Sequence, residues 1–336
     1  MSSRCFAAGL GAALLLALAS QPAAAGTLTL TPAGIADGFT LTTFATLDPG
    51  NTGCCTGPFG LAVAANGNVI VANNMTSSRY AFADVDGQTI GTALFTQSVS
   101  SSTVAYAHAG GQAYGGQNGK FVQLNNDGSV NHVLTGVTAS PYLGMWGSPT
   151  TGHIIATSSQ GVIDIDPLAN GGAGSFTVLN GGLFGDGITV SPDGKTGYIE
   201  SGGNIYSFNV ATGAVITGYS GFSAPDGTGV ISSSNQLNGD VIVNNNFGEV
   251  DLLNPTTSMF TAIATGGTRG DYVSPDTNNG TLFMDFSDVV ERLSCGPNCS
   301  IGGPPPQPVP EPAPWSLFGL GLLGAALALR RRIRFV

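Results

Sequence analysis

Two aspartates occupy equivalent places in the chain and have the most readily assigned chemistry. Asp186 and Asp226 each come directly before a glycine that opens an alternating apolar stretch. If both stretches are strands of one repeating fold, the two carboxylates lie at the same edge and can supply hard oxygen ligands to Ca²⁺. The alternative interpretation is that Asp-Gly is ordinary turn chemistry at both places.

Other catalytic chemistry has little support. The three histidines, His108, His132 and His153, stand apart in the sequence. We find no nucleophile elbow, no His-Glu-x-x-His zinc motif and no phosphate-binding glycine loop. The sequence therefore favours a binding protein over an enzyme and designates no catalytic residue.

The cysteines bear on how the chain closes. Apart from Cys5 near the start, they are Cys54, Cys55, Cys295 and Cys299, with none in the middle. Four cysteines allow three pairings, and export favours their oxidation. We expect at least one bridge from the front pair to the rear pair, closing the ring described below. The alternative is a local bridge between Cys295 and Cys299.

The elements that would position these residues repeat along the chain. Alternating stretches with polar turns begin at Gly60, Gly144, Gly187, Gly227 and Gly270, with spacings of 84, 43, 40 and 43 residues. The first spacing is double the others, so one further unit is expected near Ser102. A repeat of about 42 residues made of short strands is typical of a propeller blade. We therefore predict an all-β, six-bladed β-propeller.

The last repeat is too short for a full blade, and the front of the chain offers its missing strand. The stretch Phe39–Leu47 alternates and precedes the first blade, so we expect it to pair at the outer edge of the sixth blade. A ligand site should lie at one mouth of the central channel. The residues that enter the inner strands there are Phe59, Ser101, Leu143, Asp186, Asp226 and Arg269, with Asp271 as an alternative to Arg269.

Composition limits the partners. Only 9% of residues are charged, and up to Gly303 the part after residue 25 has 19 acidic against five basic residues, a net charge of −14. Nucleic acid is not expected as a partner, because phosphate binding needs clustered Lys and Arg.

Both ends of the chain have the form of export signals. Residues 1–25 read as a cleaved signal peptide, 26–294 as the propeller domain, 295–308 as a Pro/Gly-rich linker and 309–336 as a sorting signal. That last segment contains Pro310, Glu311 and Pro312, then an apolar run for a transmembrane helix, and then Arg330, Arg331 and Arg332. The arginines are expected to stay on the cytoplasmic side.

The tail resembles the PEP-CTERM sorting signal of exported proteins in Gram-negative bacteria that make exopolysaccharide. The resemblance implies recognition by an exosortase, transient anchoring in the inner membrane, and then release or transfer to the cell surface or extracellular space. A plain single-pass anchor is the alternative.

The body resembles six-bladed propellers of the NHL-repeat and gluconolactonase-like group. The segment Asp186–Glu200, DGITVSPDGKTGYIE, carries the likeness. In such enzymes a Glu ahead of a Gly-Pro, an Asn and an Asp hold a divalent metal. Here Thr56 stands in the place of that Glu, Asp186 in the place of that Asn, and Asp226 lies at the equivalent position one blade on.

Two functions follow as hypotheses. The first is a surface or matrix protein whose propeller is a scaffold that binds exopolysaccharide or surface proteins without any cofactor. The alternative is a metal-dependent lactonase or lyase-like enzyme with Ca²⁺ at Asp186 and Asp226.

Overall fold

The computed structural model describes residues 26–53, 55–99 and 105–303. Several sequence predictions fall outside these residues: the signal peptide 1–25, Cys54, the blade start near Ser101 and Ser102, and the sorting signal 309–336 with Pro310, Glu311, Pro312, Arg330, Arg331 and Arg332.

Short strands, almost all paired antiparallel, make up nearly all of the regular secondary structure of the described chain. Those of the first half are β1 (Thr29–Leu30), β2 (Thr40–Thr46), β3 (Pro58–Val63), β4 (Val69–Asn73), β5 (Ser78–Phe82), β6 (Gln88–Thr89), β7 (Phe95–Ser98), β8 (Tyr106–Ala109), β9 (Gln112–Gln117), β10 (Lys120–Leu124), β11 (Val130–Val133), β12 (Pro141–Gly147), β13 (Ile154–Ser158) and β14 (Gly161–Asp166). Those of the second half are β15 (Ser175–Asn180), β16 (Ile188–Val190), β17 (Thr196–Ser201), β18 (Asn204–Asn209), β19 (Val215–Tyr219), β20 (Pro225–Ser233), β21 (Val241–Asn245), β22 (Glu249–Asn254), β23 (Met259–Thr265), β24 (Gly270–Pro275), β25 (Leu282–Phe286), β26 (Val289–Ser294) and β27 (Cys299–Ile301).

Helical structure is limited to short pieces. These are α1 (Pro32–Ala36) and the 3₁₀ turns Ile90–Thr92 and Ala169–Gly172. None of the helices in the described part of the chain is long and apolar enough to cross a bilayer.

The strands form six separate sheets, which are the six blades of a propeller. Blades 1 to 4 have the strand orders β3-β4-β5-β7, β8-β9-β10-β11, β12-β13-β14-β15 and β16-β17-β18-β19. Blade 5 is β20-β21-β22-β23 with β1 outside and β27 inside, and blade 6 is β24-β25-β26-β2 with β6 outside. The inner strands β3, β8, β12, β16, β20 and β24 contact one another around the ring. The predicted six-bladed propeller is confirmed, and blade 2 is the repeat expected between the first two glycines.

The ring closes by the predicted overlap. Strand β2 pairs antiparallel with β26, from Thr40 opposite Ser294 to Thr46 opposite Val289. Phe44 and Ala45 of β2 are fully buried, so the front strand is part of the core of blade 6. Because one sheet now contains both ends of the domain, opening the ring would expose apolar surface and strand edges.

The cysteine prediction was wrong in its pairing. Cys295 is bonded to Cys299, four residues later, which is the local alternative. Gly296 and Asn298 adopt positive φ angles between them, so the chain reverses at once and brings the two cysteines together. Neither rear cysteine is then available to Cys54 or Cys55.

The disulfide holds a strand that the sequence places in the linker. After the reversal, β27 pairs with the end of β20, with Ile301 opposite Ile231 and Cys299 opposite Ser233. Ile301 is fully buried. The folded body therefore continues past residue 294 into the segment predicted as linker.

Candidate functional site

The propeller has two unlike faces. All inner strands begin at one face, here called the upper face, and end at the other, the lower face. Because neighbouring strands in each blade are antiparallel, the second strand of a blade ends at the upper face, next to the start of the inner strand. Side chains from both places can therefore meet at the upper mouth of the channel.

The channel is blocked at its centre by Tyr272 of blade 6. The Tyr272 hydroxyl accepts a hydrogen bond from the Tyr106 backbone N–H of blade 2 at 3.0 Å and donates to the Met145 carbonyl of blade 3 at 2.8 Å. The Tyr106 carbonyl is also in contact with this hydroxyl. Burial raises the pKa of Tyr272 far above its usual value, so the hydroxyl stays a neutral donor.

The lower mouth is filled by Trp146 and the end of the described chain. Gly302 lies so close to the Trp146 indole that a side chain there would overlap the ring. The Gly302 N–H bonds the Val230 carbonyl at 2.7 Å, which continues the pairing of β27 with β20. Trp146 and Gly302 thus occupy the centre of the lower mouth, and a cavity of about 400 Å³ at the same face is lined by residues that include His108, Ser148 and Gly303.

Arg269 lies at the upper mouth between two of the aspartates. Its Nη2 is 2.7 Å from Asp271 Oδ1 and 3.6 Å from Asp226 Oδ2, and its Nε is 3.0 Å from the same Asp271 oxygen. Both carboxylates are almost fully buried, whereas about a quarter of the Arg269 side chain is exposed. Arg269 and Asp271, the two residues that the sequence offers for the sixth channel position, thus lie at the same site and form an ion pair with each other.

Asp186 and Glu200 complete this set of carboxylates. The Asp186 backbone N–H donates to Glu200 Oε2 at 3.4 Å, and Gly203 N–H donates to Glu200 Oε1 at 2.8 Å. Within the described residues, the Asp186 carboxylate itself makes no hydrogen bond. We call Asp186, Glu200, Asp226, Arg269 and Asp271 the mouth cluster.

Glu200 was not among the predicted site residues. It lies near the end of β17, the second strand of blade 4, and that strand runs toward the upper face. The sequence does indicate the position of Glu200 at a strand end, because this residue directly precedes Ser201 and the turn glycines Gly202 and Gly203. An acidic residue at the end of a blade's second strand is therefore a candidate for the channel mouth, as are the residues just before the inner strands.

Burial disfavours the charged forms of these acids. It raises the pKa of Asp226 well above its usual value, and the neighbouring Asp271, Asp186 and Glu200 raise it further while Arg269 lowers it. Burial also raises the pKa values of Asp186, Glu200 and Asp271.

Beneath the mouth cluster lie oxygens that lack hydrogen-bond donors. Within the described residues, Asp271 Oδ2, Asn244 Oδ1 and Asp285 Oδ1 have no hydrogen-bond partner, and all three lie on residues at most 2% exposed. Asn244 donates through Nδ2 toward the carbonyls of Asp271 and Asp285, and Gly60 N–H donates to Asp285 Oδ2 at 2.6 Å. The floor of the mouth is therefore rich in acceptors.

An exposed aromatic pair lies beside the cluster. The rings of Tyr142 and Phe184 have centroids 6.4 Å apart and planes inclined by 47°. Both side chains are 42% exposed. Phe184 comes two residues before Asp186, and Gly144, two residues after Tyr142, touches the Asp186 carbonyl. The pair forms one rim of the upper mouth.

The remaining candidates lie elsewhere. Phe59 is buried, and Thr56 bonds within its own loop through Asn51 Nδ2 at 3.0 Å. His108 contacts the Val63 carbonyl at 2.7 Å, His132 contacts the Gly172 carbonyl at 2.9 Å, and His153 lies 3.0 Å from Asp164. None of these histidines belongs to the mouth cluster.

The charged side chains of the mouth cluster fit a fixed ion pair better than a divalent cation. The Arg269 guanidinium already pairs with Asp226 and Asp271, and a metal ion bound between those two carboxyls would have to displace it. The described residues contain no group of three or more His, Cys, Asp or Glu side chains arranged to hold a metal ion. The Ca²⁺ site at Asp186 and Asp226 stays a prediction.

Fold and site together define a six-bladed propeller with an acidic cluster at its upper mouth. Residues 308–332 match the profile of the PEP-CTERM protein-sorting motif, so the chain carries this motif at its C-terminus. The motif implies export, transient membrane anchoring and processing by an exosortase. No curated protein matches the sequence.

Solved structures of similar fold include enzymes. The gluconolactonase XC5397 of Xanthomonas campestris aligns over 79% of this chain and 94% of its own, with 16% identity and a TM-score of 0.54. A streptogramin B lyase aligns over 76% and 97%, with 11% identity and a TM-score of 0.46. At these identities the likeness concerns the fold alone.

Proposed function

We propose that the protein is an exported binding scaffold whose upper mouth binds polysaccharide at the surface of a Gram-negative cell or in its extracellular matrix. The sorting motif supports export and processing by an exosortase. The propeller supplies a rigid ring on which the mouth cluster and the aromatic rim are held.

The observation that carries this proposal is the composition of the upper mouth. Arg269, Asp271 and Glu200 are held by an ion pair and a backbone hydrogen bond, the Asp186 carboxylate is left for a ligand, and an exposed aromatic pair stands beside them. Binding sites for sugars combine polar groups that bond hydroxyls with aromatic rings that pack on apolar C–H faces. No nucleophile with an adjacent base lies in the mouth cluster, which supports binding over catalysis.

The direction in which the chain leaves the body supports the same role. Gly303, the last described residue, lies at the lower mouth among Gly302, Ser148 and Pro149. The eleven residues 304–314 before the apolar run can span at most about 40 Å. An anchored tail therefore leaves the body from the lower face, opposite the mouth cluster.

The test compares native cells with and without their exosortase. We expect the protein in the surface or medium fraction of the parent and in the membrane fraction of the mutant. The protein purified from the parent should sediment with the polysaccharide of that host, and the double variant Tyr142→Ala/Phe184→Ala should not. Equal sedimentation of both forms, or none by the parent protein, would reject the mouth as a polysaccharide site.

The alternative is a metal-dependent lactonase or lyase-like enzyme with a cation at Asp186 and Asp226. Arg269 weighs against it, because its charge already occupies Asp226. Lactone hydrolysis that requires added Ca²⁺ and is lost in Asp186→Asn would replace the scaffold proposal.

A further inference from the structure

We propose that the upper mouth selects an amino sugar, with the ammonium group on the mouth cluster and the sugar ring against Tyr142 and Phe184. This rests on the proposed polysaccharide binding and specifies its chemical class. A polymer of partly or wholly deacetylated hexosamine units would present such a group at regular intervals.

The charge balance of the mouth favours a cation. Four carboxyl groups, Asp186, Glu200, Asp226 and Asp271, face one guanidinium. Even with one of the four carboxyls protonated, three carboxylates face a single guanidinium, so negative charge remains in excess. A ligand with a positive charge would compensate this excess, whereas an anionic sugar would be repelled.

The pattern of hydrogen bonding favours a ligand that donates. The Asp186 carboxylate has no hydrogen-bond partner within the described residues. Asn244 is fully buried under the mouth, and among the described residues no donor bonds its side-chain oxygen. An ammonium group brings three donors and no acceptor, and sugar hydroxyls bring further donors. The surplus of acceptors is therefore complementary to an amino sugar.

The aromatic rim distinguishes a sugar from a simple cation. Phe184 and Asp186 belong to the same connection, which Ser201 fixes by a hydrogen bond from its hydroxyl to the Phe184 carbonyl. A ring packed on Phe184 would thus place a substituent near the Asp186 carboxylate. An ammonium beside an aromatic face gains a cation–π attraction as well. A metal ion could use the unpartnered oxygens, but it would leave the apolar faces of the two rings without a partner.

The experiment measures binding of the full-length chain, purified in detergent, to three β-1,4-linked tetrasaccharides by calorimetry. These are the tetramers of glucosamine, N-acetylglucosamine and glucose, with tetralysine as a fourth probe. We expect the glucosamine tetramer to bind at least about tenfold more tightly than the other three, because only it offers both charge and ring. Its affinity should fall at high salt.

Variants assign the binding to the mouth. Asp186→Asn and Phe184→Ala should each weaken glucosamine binding about tenfold, and the matched control Phe95→Ala, an exposed phenylalanine on the outer strand β7, should not change it. Thermal melting of each variant checks that the fold is intact.

The outcomes separate the two proposals. Equal binding of the glucose and glucosamine tetramers, abolished by Phe184→Ala, would overturn the selection for an amine and leave the polysaccharide scaffold standing. Tetralysine binding as tight as that of glucosamine would overturn the sugar. Failure of all three saccharides, together with failure to sediment with the host polysaccharide, would overturn both proposals.

Discussion

At the scale of single residues, Tyr272 shows how one side chain can organise a closed ring. Tyr272 belongs to blade 6, and its hydroxyl forms hydrogen bonds with backbone groups of blades 2 and 3 across the channel. The inner edge of an inner strand has no neighbouring strand, so its N–H and C=O groups need other partners when buried. Tyr272 satisfies several of them at once, and it separates the upper mouth from the lower one.

Replacing Tyr272 by Phe tests this role. The ring still fills the channel, but the backbone groups of Tyr106 and Met145 lose their partner. Leaving a buried polar group unsatisfied costs about 1–3 kcal/mol, so we expect the free energy of unfolding in urea to fall by that amount. The matched control is Tyr206→Phe, since within the described residues no hydrogen bond involves the Tyr206 hydroxyl. A similar loss in both variants would contradict the role of Tyr272.

The individual site residues could be predicted in part. Asp186 and Asp226 were identifiable because each precedes the glycine of a repeat, and Arg269 and Asp271 because they flank the last one. The bond between Arg269 and Asp271 was not foreseeable, since the sequence left the register of that blade open. The aromatic rim joins Tyr142 and Phe184, 42 residues apart in the sequence, and depends on how two blades pack.

At the scale of elements, the seam between blades 6 and 1 is held by Arg292 of β26. Its guanidinium bonds Asp84 Oδ1 at 2.5 Å and Asp86 Oδ1 at 2.8 Å, both on the connection after β5 of blade 1, and it contacts Asp276 of blade 6. The group also lies over the rings of Phe44 and Phe283, at 5.2 and 4.7 Å. The sequence suggested a disulfide across this seam, and the structure has a buried ion-pair network there.

The variant Arg292→Met should weaken the seam. It keeps the apolar stem over Phe44 but leaves Asp84 and Asp276 without their cation. Removing one partner of a buried ion pair costs about 3–5 kcal/mol, which denaturant unfolding would detect. Lys195→Met, at an exposed pair with Asp193, is the control and should change stability by about 1 kcal/mol or less. Should adding Asp276→Asn to Arg292→Met restore no stability, the network would not be the cause.

Long strands were predictable and very short ones were not. The alternation in Phe39–Leu47 is long enough to identify β2 and its place in blade 6. Strands β1, β6 and β27 have only two or three residues, too few for a periodic pattern, and they form where a neighbouring strand offers an open edge. The local bridge between Cys295 and Cys299 depends on the turn between them, whose conformation the sequence alone did not settle.

At the scale of the whole molecule, buried acids are the distinguishing property of this propeller. Burial raises the pKa of Asp285 to about 8 and that of Glu291 to about 7. Asp240, Asp251 and Asp276 are raised to about 6, also by burial first. The excess of acidic over basic residues seen in the sequence thus extends into the interior, where too few cations are present to offset it.

These shifts determine how stability depends on pH. A group whose pKa is higher in the folded than in the unfolded protein stabilises the fold below its unfolded pKa, and this contribution is lost as the pH rises through the folded pKa. For Asp285 the window runs from about 4 to about 8. The pKa of the exposed Asp193 is lowered in the folded protein, so this group acts in the opposite sense. Its contribution to the stability of the fold is lost only as the pH falls below about 4.

We therefore expect the melting temperature to be highest near pH 5 and to fall steadily toward pH 8, measured by calorimetry at constant ionic strength. The variant Asp285→Asn keeps an acceptor for the Gly60 N–H but cannot ionise, so it should flatten this fall and be more stable than the parent at pH 8, by on the order of a few kcal/mol. The control Asp193→Asn should leave the fall between pH 5 and pH 8 in place. A melting temperature that rises from pH 5 to pH 8 in the parent would show that the interior acids are compensated, and the account of a carboxyl-rich interior with too few cations would then be wrong.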